Sequence, residues 1–435
     1  MATTTDRRRS SVRRPSIAAD KLGAMTFSSI PKAGGEFRIC FIGGGNINFG
    51  SDQGPWDHSF RLEHKLGPRL KVVGIVEPNR ATAEAVLTRK RGSFVVSAYQ
   101  DTEIYSSFDE YVEKLNPEKR PHAFIIGSPP AFRGSTTPGK DVELAILKAF
   151  PNDTPALFIE KPISTDTVEN ALTVGRTLVD SKTVVSVGYF LRYLRVVQKM
   201  RSIIEDNDLH VMATVARYVC AYPSIRKQAW WMKSRDCGPI VEQGTHFCDL
   251  SRYFGGDVEM DSVQAHALEW YEEAGELSKC PVDEENTVEE DDRVPRVTAA
   301  TWKYKTGAVG SFTHALVLQG DKYSTELEIY ADGYQLRLVD PYNAPSLEVR
   351  SPLGDEVEHH TFAQDDPYFN QMSAFIDASD NDGNAGTTAV ADDDEFEILS
   401  DFDDAAKSYA LSWAIRVASE KSLKTVRRAP KKAAK

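Results

Sequence analysis

At 435 residues with 41% hydrophobic content, the chain exceeds what one core usually serves, and roughly two to three domains of ~150 residues are expected. The formal net charge of −12 argues against general nucleic-acid affinity, because phosphate binding needs a positive footprint, and leaves small-molecule or protein partners. The five cysteines show no Cys-x-x-Cys or Cys/His ligand spacing, and no stretch approaches ~18 consecutive apolar residues. Disulfides, structural metal and membrane insertion are therefore not expected, and the expected address is cytoplasmic.

Residues 1–34 are basic and serine-rich, with Arg7-Arg8-Arg9-Ser10-Ser11 and Arg13-Arg14-Pro15-Ser16, and are too poor in large apolar side chains to bury a core. They read as a disordered tail. Order begins at Phe37, where the apolar strand at residues 37–42 runs into Gly43-Gly44-Gly45-Asn46-Ile47-Asn48. Gly43 and Gly45 keep the first two positions of Gly-x-Gly-x-x-Gly, which permit a tight turn and a close approach of backbone to pyrophosphate. Asn48 takes the third, which implies either a shifted helix or a side chain that itself meets phosphate or ribose. Gly43, Gly45, Asn46, Ile47 and Asn48 are thus the expected cofactor loop, and residues 50–57 read as an insertion in the first crossover.

The next strand, at residues 71–76, ends in Glu77, whose carboxylate can accept both ribose hydroxyls and so favours NAD. Arg80 offers a 2′-phosphate contact, which keeps NADP as the alternative, or is an exposed arginine at a helix start. A strand at residues 122–127 leads to Ser128 and Pro129, expected to flank the dinucleotide, and then to a helix at 142–150. The apolar run at 155–159 ends in Glu160-Lys161-Pro162. This places a fixed ammonium at the carboxyl end of a strand, where ligands of open doubly wound sheets bind.

A helix over 165–181 and a strand at 184–189 precede Arg192. Further on, Glu242, His246 and Asp249 share one face if their segment is helical, so the three polar groups converge on a line. Histidine titrates near neutrality and can take a hydroxyl proton while a carboxylate orients its ring, although a satisfied core histidine has the same pattern. Trp231 and Lys233 lie just upstream, as pocket residues or as a hydrophobic hinge. Between Glu272 and Val294 ten acidic residues face only Lys279 and Arg293, a composition read as a solvated, mobile insertion over 271–295 rather than a metal site. The Asp-, Asn- and Gly-rich stretch at 377–394 reads as another exposed connection.

Together the glycine loop, Glu160-Lys161-Pro162, Tyr189 with Arg192, and the run Glu242, Gly244, His246, Asp249 resemble the Gfo/Idh/MocA oxidoreductases across nearly the whole folded chain. The resemblance implies an α/β protein: an N-terminal Rossmann doubly wound parallel sheet and a C-terminal α+β domain with a large, open, mainly antiparallel sheet. The implied layout is a tail at 1–34, a dinucleotide-binding domain at 35–164 and a substrate and oligomerisation domain at 165–400. A closing helix at 401–424 and a basic tail at 425–435 complete it. Strands at 210–218, 262–269, 296–304, 307–314, 324–331 and 335–339 fit the second domain.

By position, Lys161 would hold the substrate hydroxyl and nicotinamide ribose, His246 would be the general acid/base, and Glu242 would stand where the family has an aspartate. Glu160 and Lys161 would also touch NAD, Arg192, Trp231 and Lys233 would reach substrate, and the Lys161–Pro162 peptide would be cis. The implied activity is NAD(P)-dependent oxidation of a CH–OH group in a sugar, inositol or related polyol by a homodimer or homotetramer. The alternative is a non-catalytic dinucleotide-binding regulator of the same fold.

Overall fold

The computed structural model describes residues 35–52, 54–380 and 397–427. The basic tail at 1–34 and most of the 377–394 connection lie outside the described residues, and so does the last tail beyond Arg427.

Six parallel strands form the first sheet in the order β3-β2-β1-β4-β5-β6. They are β1 (Phe37–Ile42), β2 (Leu70–Val76), β3 (Glu103–Tyr105), β4 (Ala123–Ile126), β5 (Ala156–Ile159) and β6 (Val185–Val187). The central strands β4 and β5 are buried along their whole length, as a parallel sheet covered on both faces requires. One face packs Leu62, Val86, Phe375 and Ile376 against Phe37, Ile39 and Phe41. The other packs Ile146, Val174 and Tyr409 against Ile42, Phe124 and Leu157. The strand order reverses between β1 and β4, which opens the crevice at their carboxyl ends where ligands of this architecture lie.

The sheet does not stop at the expected boundary of 164. Leu157, Phe158 and Ile159 of β5 pair with Val185, Ser186 and Val187 of β6, so the crossover helix Val168–Asp180 belongs to the first domain. Thr167 caps that helix by accepting from the Asn170 N–H. Residues 50–52 and 54–57 lie, as the expected insertion, between a short helix at Asn46–Phe49 and a second helix at His58–Leu66 whose cap is Asp57.

Eight strands build the second sheet, ordered β14-β13-β12-β11-β7-β10-β9-β8. They are β7 (Val211–Ala221), β8 (Val258–Leu268), β9 (Val297–Tyr304), β10 (Val309–Leu318), β11 (Ser324–Ala331), β12 (Tyr334–Val339), β13 (Ser346–Arg350) and β14 (Val357–His360). All neighbours are antiparallel except β7 and β10. Strands β13 and β14 were not expected from the sequence. The helix Thr245–Gly255 covers one face, with Phe247 set edge-on against Tyr218 of β7 at 5.7 Å between ring centroids.

The last helix, Phe402–Arg427, starts where the closing helix was expected and joins the two halves. Phe402, Ala405 and Tyr409 complete the core of the parallel sheet, while Leu411 and Ile415 enter that of the second sheet.

Most carboxylates of the acidic insertion are exposed, as a solvated segment requires, but the segment is anchored at a few points that the expectation of a mobile loop did not include. Glu284 is 7% exposed and pairs with Arg296 at 2.6 Å, and Arg293 stacks on Trp270 at 4.2 Å. Val288 and Val294 are buried beneath it. The cost of burying charge there is offset by pairing and hydrogen bonds to backbone carbonyls, which the charge count alone did not reveal.

Candidate active site

The glycine loop follows β1 at the crevice. Gly43 has φ of +100° and lies so close to the next strand end that a Cβ there would sit 2.8 Å from the Ser128 nitrogen. Only glycine meets both conditions at low cost. Gly45 is exposed, and a Cβ added to it would meet nothing within 4 Å, so the loop offers open space for a phosphate group beside the helix start. Glu77 stands across from it at the end of β2, accepting the Gly44 N–H at 2.8 Å and the Asn79 N–H at 2.9 Å. Asn46 is exposed, Ile47 is half-buried, and Ser128 and Pro129 border the same opening at the end of β4. These residues fit a dinucleotide.

Asn48 settles the question its position raised. It is fully buried, donates from Nδ2 to the Gly43 carbonyl at 2.7 Å, and packs against Gly127, where a Cβ would lie 2.5 Å from Asn48 Oδ1. It braces the loop from beneath and does not face the cofactor opening. Arg80 is the first residue of the helix Arg80–Arg91 and forms an exposed pair with Glu84 at 2.8 Å.

Lys161 and Glu242 come together across the cleft. The Lys161–Pro162 peptide is cis, and Lys161 Nζ donates to the Glu242 carbonyl at 3.2 Å and lies 3.5 Å from Glu242 Oε1. Trp230 Nε1 donates to Glu242 Oε2 at 3.1 Å, so the carboxylate is held from both sides. His246 sits on the same segment with its ring edge-on to Tyr189, Phe190 and Tyr342 at 6.1, 5.3 and 6.0 Å. Burial first, and then the Lys161 charge, push the His246 pKa well below that of free histidine. The imidazole is therefore neutral at neutral pH and can accept a proton.

The expected line of three polar groups does not form. Residues Ile240–Gly244 make a π-turn ahead of the Thr245–Gly255 helix, and the wider turn changes the phase between Glu242 and the residues after it. Asp249 is fully buried on the far side, where it binds Arg192 through Nε at 2.8 Å and Nη2 at 2.6 Å and accepts from Ser408 at 3.0 Å. Among the described residues no carboxylate hydrogen-bonds to the His246 ring, and its Nδ1 is buried without a hydrogen-bond partner.

Three expected substrate residues are not brought to the cleft. Arg192 is 3% exposed and locked between Asp249 and Asp404. Trp231 is fully buried in the second core and donates to the Ile225 carbonyl, so its neighbour Trp230 is the one that reaches Glu242. Lys233 lies 3.7 Å from the buried Glu269 Oε2.

Two contributors went unnoticed in the sequence. His58 Nε2 meets Glu160 Oε1 at 2.7 Å, both groups being buried, while Glu160 Oε2 accepts the Lys161 N–H at 3.1 Å. Burial raises the Glu160 pKa, but His58, Lys161 and Arg133 together outweigh it and hold the carboxyl below its ordinary range. Glu160 therefore faces inward, as a support for Lys161. Arg133, whose place in the turn after Ser128 was the only hint, is buried and donates to the carbonyls of Ser128 and Glu160, tying together the ends of β4 and β5. Among the described residues no group of His, Cys, Asp and Glu could hold a metal ion, and no helix is long and apolar enough to cross a membrane.

Comparison with known proteins bears on the family and the fold. The family model for the oxidoreductase family with an NAD-binding Rossmann fold matches residues 37–189, and the model for an oxidoreductase C-terminal domain matches 192–334. Two proteins of Schizosaccharomyces pombe, the uncharacterized UNK4.17 and C12C2.04, are 48% and 44% identical over 91% and 88% of this chain and 95% and 97% of their own lengths. Among solved structures, the WlbA dehydrogenase of Bordetella pertussis, in complex with NADH and UDP-GlcNAcA, superposes with a TM-score of 0.62 at 16% identity. That match covers 91% of this chain and 98% of WlbA. The chain belongs to the Gfo/Idh/MocA oxidoreductase family, and its first domain is an NAD-binding Rossmann domain.

Proposed function

We propose that the protein is an NAD-dependent dehydrogenase that oxidises a CH–OH group of a sugar, inositol or related polyol held between its two domains, with NADP as the less favoured cofactor. The observation that carries this reading is the meeting of Lys161 with the Glu242 segment at the carboxyl end of β5, beside a histidine that is neutral at neutral pH. Bound NAD would lie on Gly43, Gly45, Glu77 and Ser128, and the chemistry it supplies is acceptance of a hydride. The chain's part is proton management. Lys161, whose ammonium lies close enough to influence His246, lowers the pKa of a substrate hydroxyl placed between them, and His246 takes the proton. Glu242 fixes Lys161 and leaves each of its oxygens able to accept from a further hydroxyl. Retention of both Lys161 and His246 favours catalysis over a purely regulatory role.

Lys161→Met, compared with wild type on a polyol panel with NAD, should lower turnover by roughly 10²-fold or more while NADH binding persists. Equal turnover by the variant would remove Lys161 from the reaction. Self-association through the outer face of the second sheet belongs to the same reading, since Val215, Val309 and Tyr330 are exposed there on neighbouring strands.

A further inference from the structure

The acidic insertion between β8 and β9 meets the segment that leads into the cleft. That segment, residues 228–236, is built from two single turns, Gln228–Trp231 and Lys233–Asp236. Single turns hold few hydrogen bonds of their own, so neighbours must fix where their side chains stand. Trp231 anchors one side of the segment in the core. The insertion supplies the other. Gln228 Nε2 donates to the Thr287 carbonyl at 3.1 Å, and Met232 and Arg293 form an isolated antiparallel bridge. Asp292 accepts the Ser234 N–H at 2.6 Å through Oδ1 and the Ser234 hydroxyl at 2.7 Å through Oδ2.

The insertion is itself braced at this point. Arg293 is buried, stacks on Trp270 at 4.2 Å, and donates to the carbonyls of Val288 at 3.1 Å and Glu285 at 3.2 Å. The Asp292 N–H donates to the Glu289 carbonyl at 2.9 Å. Asp292 therefore sits on a fixed turn, and its carboxylate makes two bonds to Ser234 that are strengthened by its charge. Trp230 is half-buried and lies between the tie at Gln228 and those at Met232 and Ser234. Its Nε1 donates to Glu242 Oε2 at 3.1 Å, and Glu242 Oε1 stands 3.5 Å from Lys161 Nζ. Contacts and one short stretch of backbone thus link Asp292, Ser234, Trp230, Glu242 and Lys161 in that order.

Resting on the dehydrogenase reading above, we propose that the acidic insertion is a strut for the cleft wall and that Asp292, acting through Ser234 and Trp230, is a positioning residue that keeps the Glu242 carboxylate aimed at Lys161. The role of Asp292 is indirect. Without its tie Trp230 samples more orientations and Glu242 loses its second holder, so that ordering the wall on binding costs the substrate affinity.

The test is a double-mutant cycle in the full chain, with wild type, Asp292→Ala, Trp230→Phe and the double variant, and with Asp292→Asn and Ser234→Ala beside them. Acrylamide quenching of tryptophan fluorescence, without ligand, reads Trp230: Asp292→Ala should raise it, and the rise should vanish in the Trp230→Phe background. Substrate KM on the polyol panel with NAD should rise roughly 3- to 10-fold in Asp292→Ala, the worth of a lost hydrogen bond, with kcat within about 2-fold. In the double variant KM should rise no further than in Trp230→Phe alone. Asp292→Asn, which keeps a neutral acceptor, should fall between wild type and Asp292→Ala, and Ser234→Ala, which removes one of the two bonds, should shift both readings in the same direction by less. Quenching unchanged in Asp292→Ala, a rise that persists in the Trp230→Phe background, or an unchanged or additive KM in an active enzyme would overturn the inference. The expected quenching pattern with no turnover of any polyol by wild type would uphold the strut and count against the dehydrogenase reading, so the two fail separately.

Discussion

Arg192 distinguishes what sequence position implied from what the fold does with it, and Arg192→Met tests the difference. In the native state Arg192 binds both Asp249 oxygens and reaches Asp404 at 2.6 Å, while its guanidinium carbon lies 4.8 Å from the Tyr253 ring centroid. Methionine keeps much of the packing and removes the charge. Asp404 retains Arg252 at 2.9 Å, so most of the loss falls on Asp249, which is fully buried. Removing one partner of a buried pair costs about 3–5 kcal/mol, a factor of roughly 10²–10⁴ in the folded-to-unfolded ratio. Denaturant unfolding should show that loss, with NADH affinity and substrate KM of the remaining folded protein near wild type. Adding Asp249→Asn should restore more than half of it, because the uncompensated charge is then gone. Asp404 adds a pH signature. Burial opposes its ionisation, but Arg192 and Arg252 hold its folded pKa below the ordinary carboxylate value. Its contribution in the wild type is present above about pH 4 and is lost as pH falls through the folded value, whereas in the variant Asp249, already raised by burial, rises further, so its protonation on acidification should narrow the stability gap between the two proteins. An Arg192→Met protein with unaltered unfolding and a raised KM would refute the argument and return Arg192 to the substrate.

Because Lys161 helps depress the His246 pKa, Lys161→Met should move the acid limb of residual alcohol oxidation to higher pH, as His246 regains a more ordinary value. A limb that stays in place in the pH–rate profile would separate the two groups. Gly43→Ala should cost about 1–3 kcal/mol and abolish or greatly weaken NADH binding, since both its backbone angle and the Ser128 backbone oppose a Cβ; fluorescence titration and unfolding measured together would check it. Trp231→Ala should destabilise by about 3–5 kcal/mol, whereas Trp230→Phe should leave stability within about 1 kcal/mol and alter substrate KM, which gives Trp231 the core position and its neighbour the pocket position.

The legible part of this chain was the part written in local chemistry. A glycine with φ of +100° at Gly43 has few alternatives, and a buried parallel strand ending in Glu160-Lys161-Pro162 declares itself by composition and position. The family followed from such local signs, and with it the two sheets. What was not legible was the direction a side chain faces and the partner it finds far along the chain. His58 and Glu160 are 102 residues apart, and nothing near either one announces their hydrogen bond. Glu242, His246 and Asp249 have α-helical spacing, yet one π-turn at Ile240–Gly244 parts the carboxylate that meets Lys161 from the one buried against Arg192. The same limit explains the tryptophans, because adjacent residues in a short turn point to different surroundings and a sequence gives no reason to choose Trp230 over Trp231. Sequence spacing thus located the segments that carry the chemistry, while burial and charge pairing decided which of their side chains remain available to a ligand.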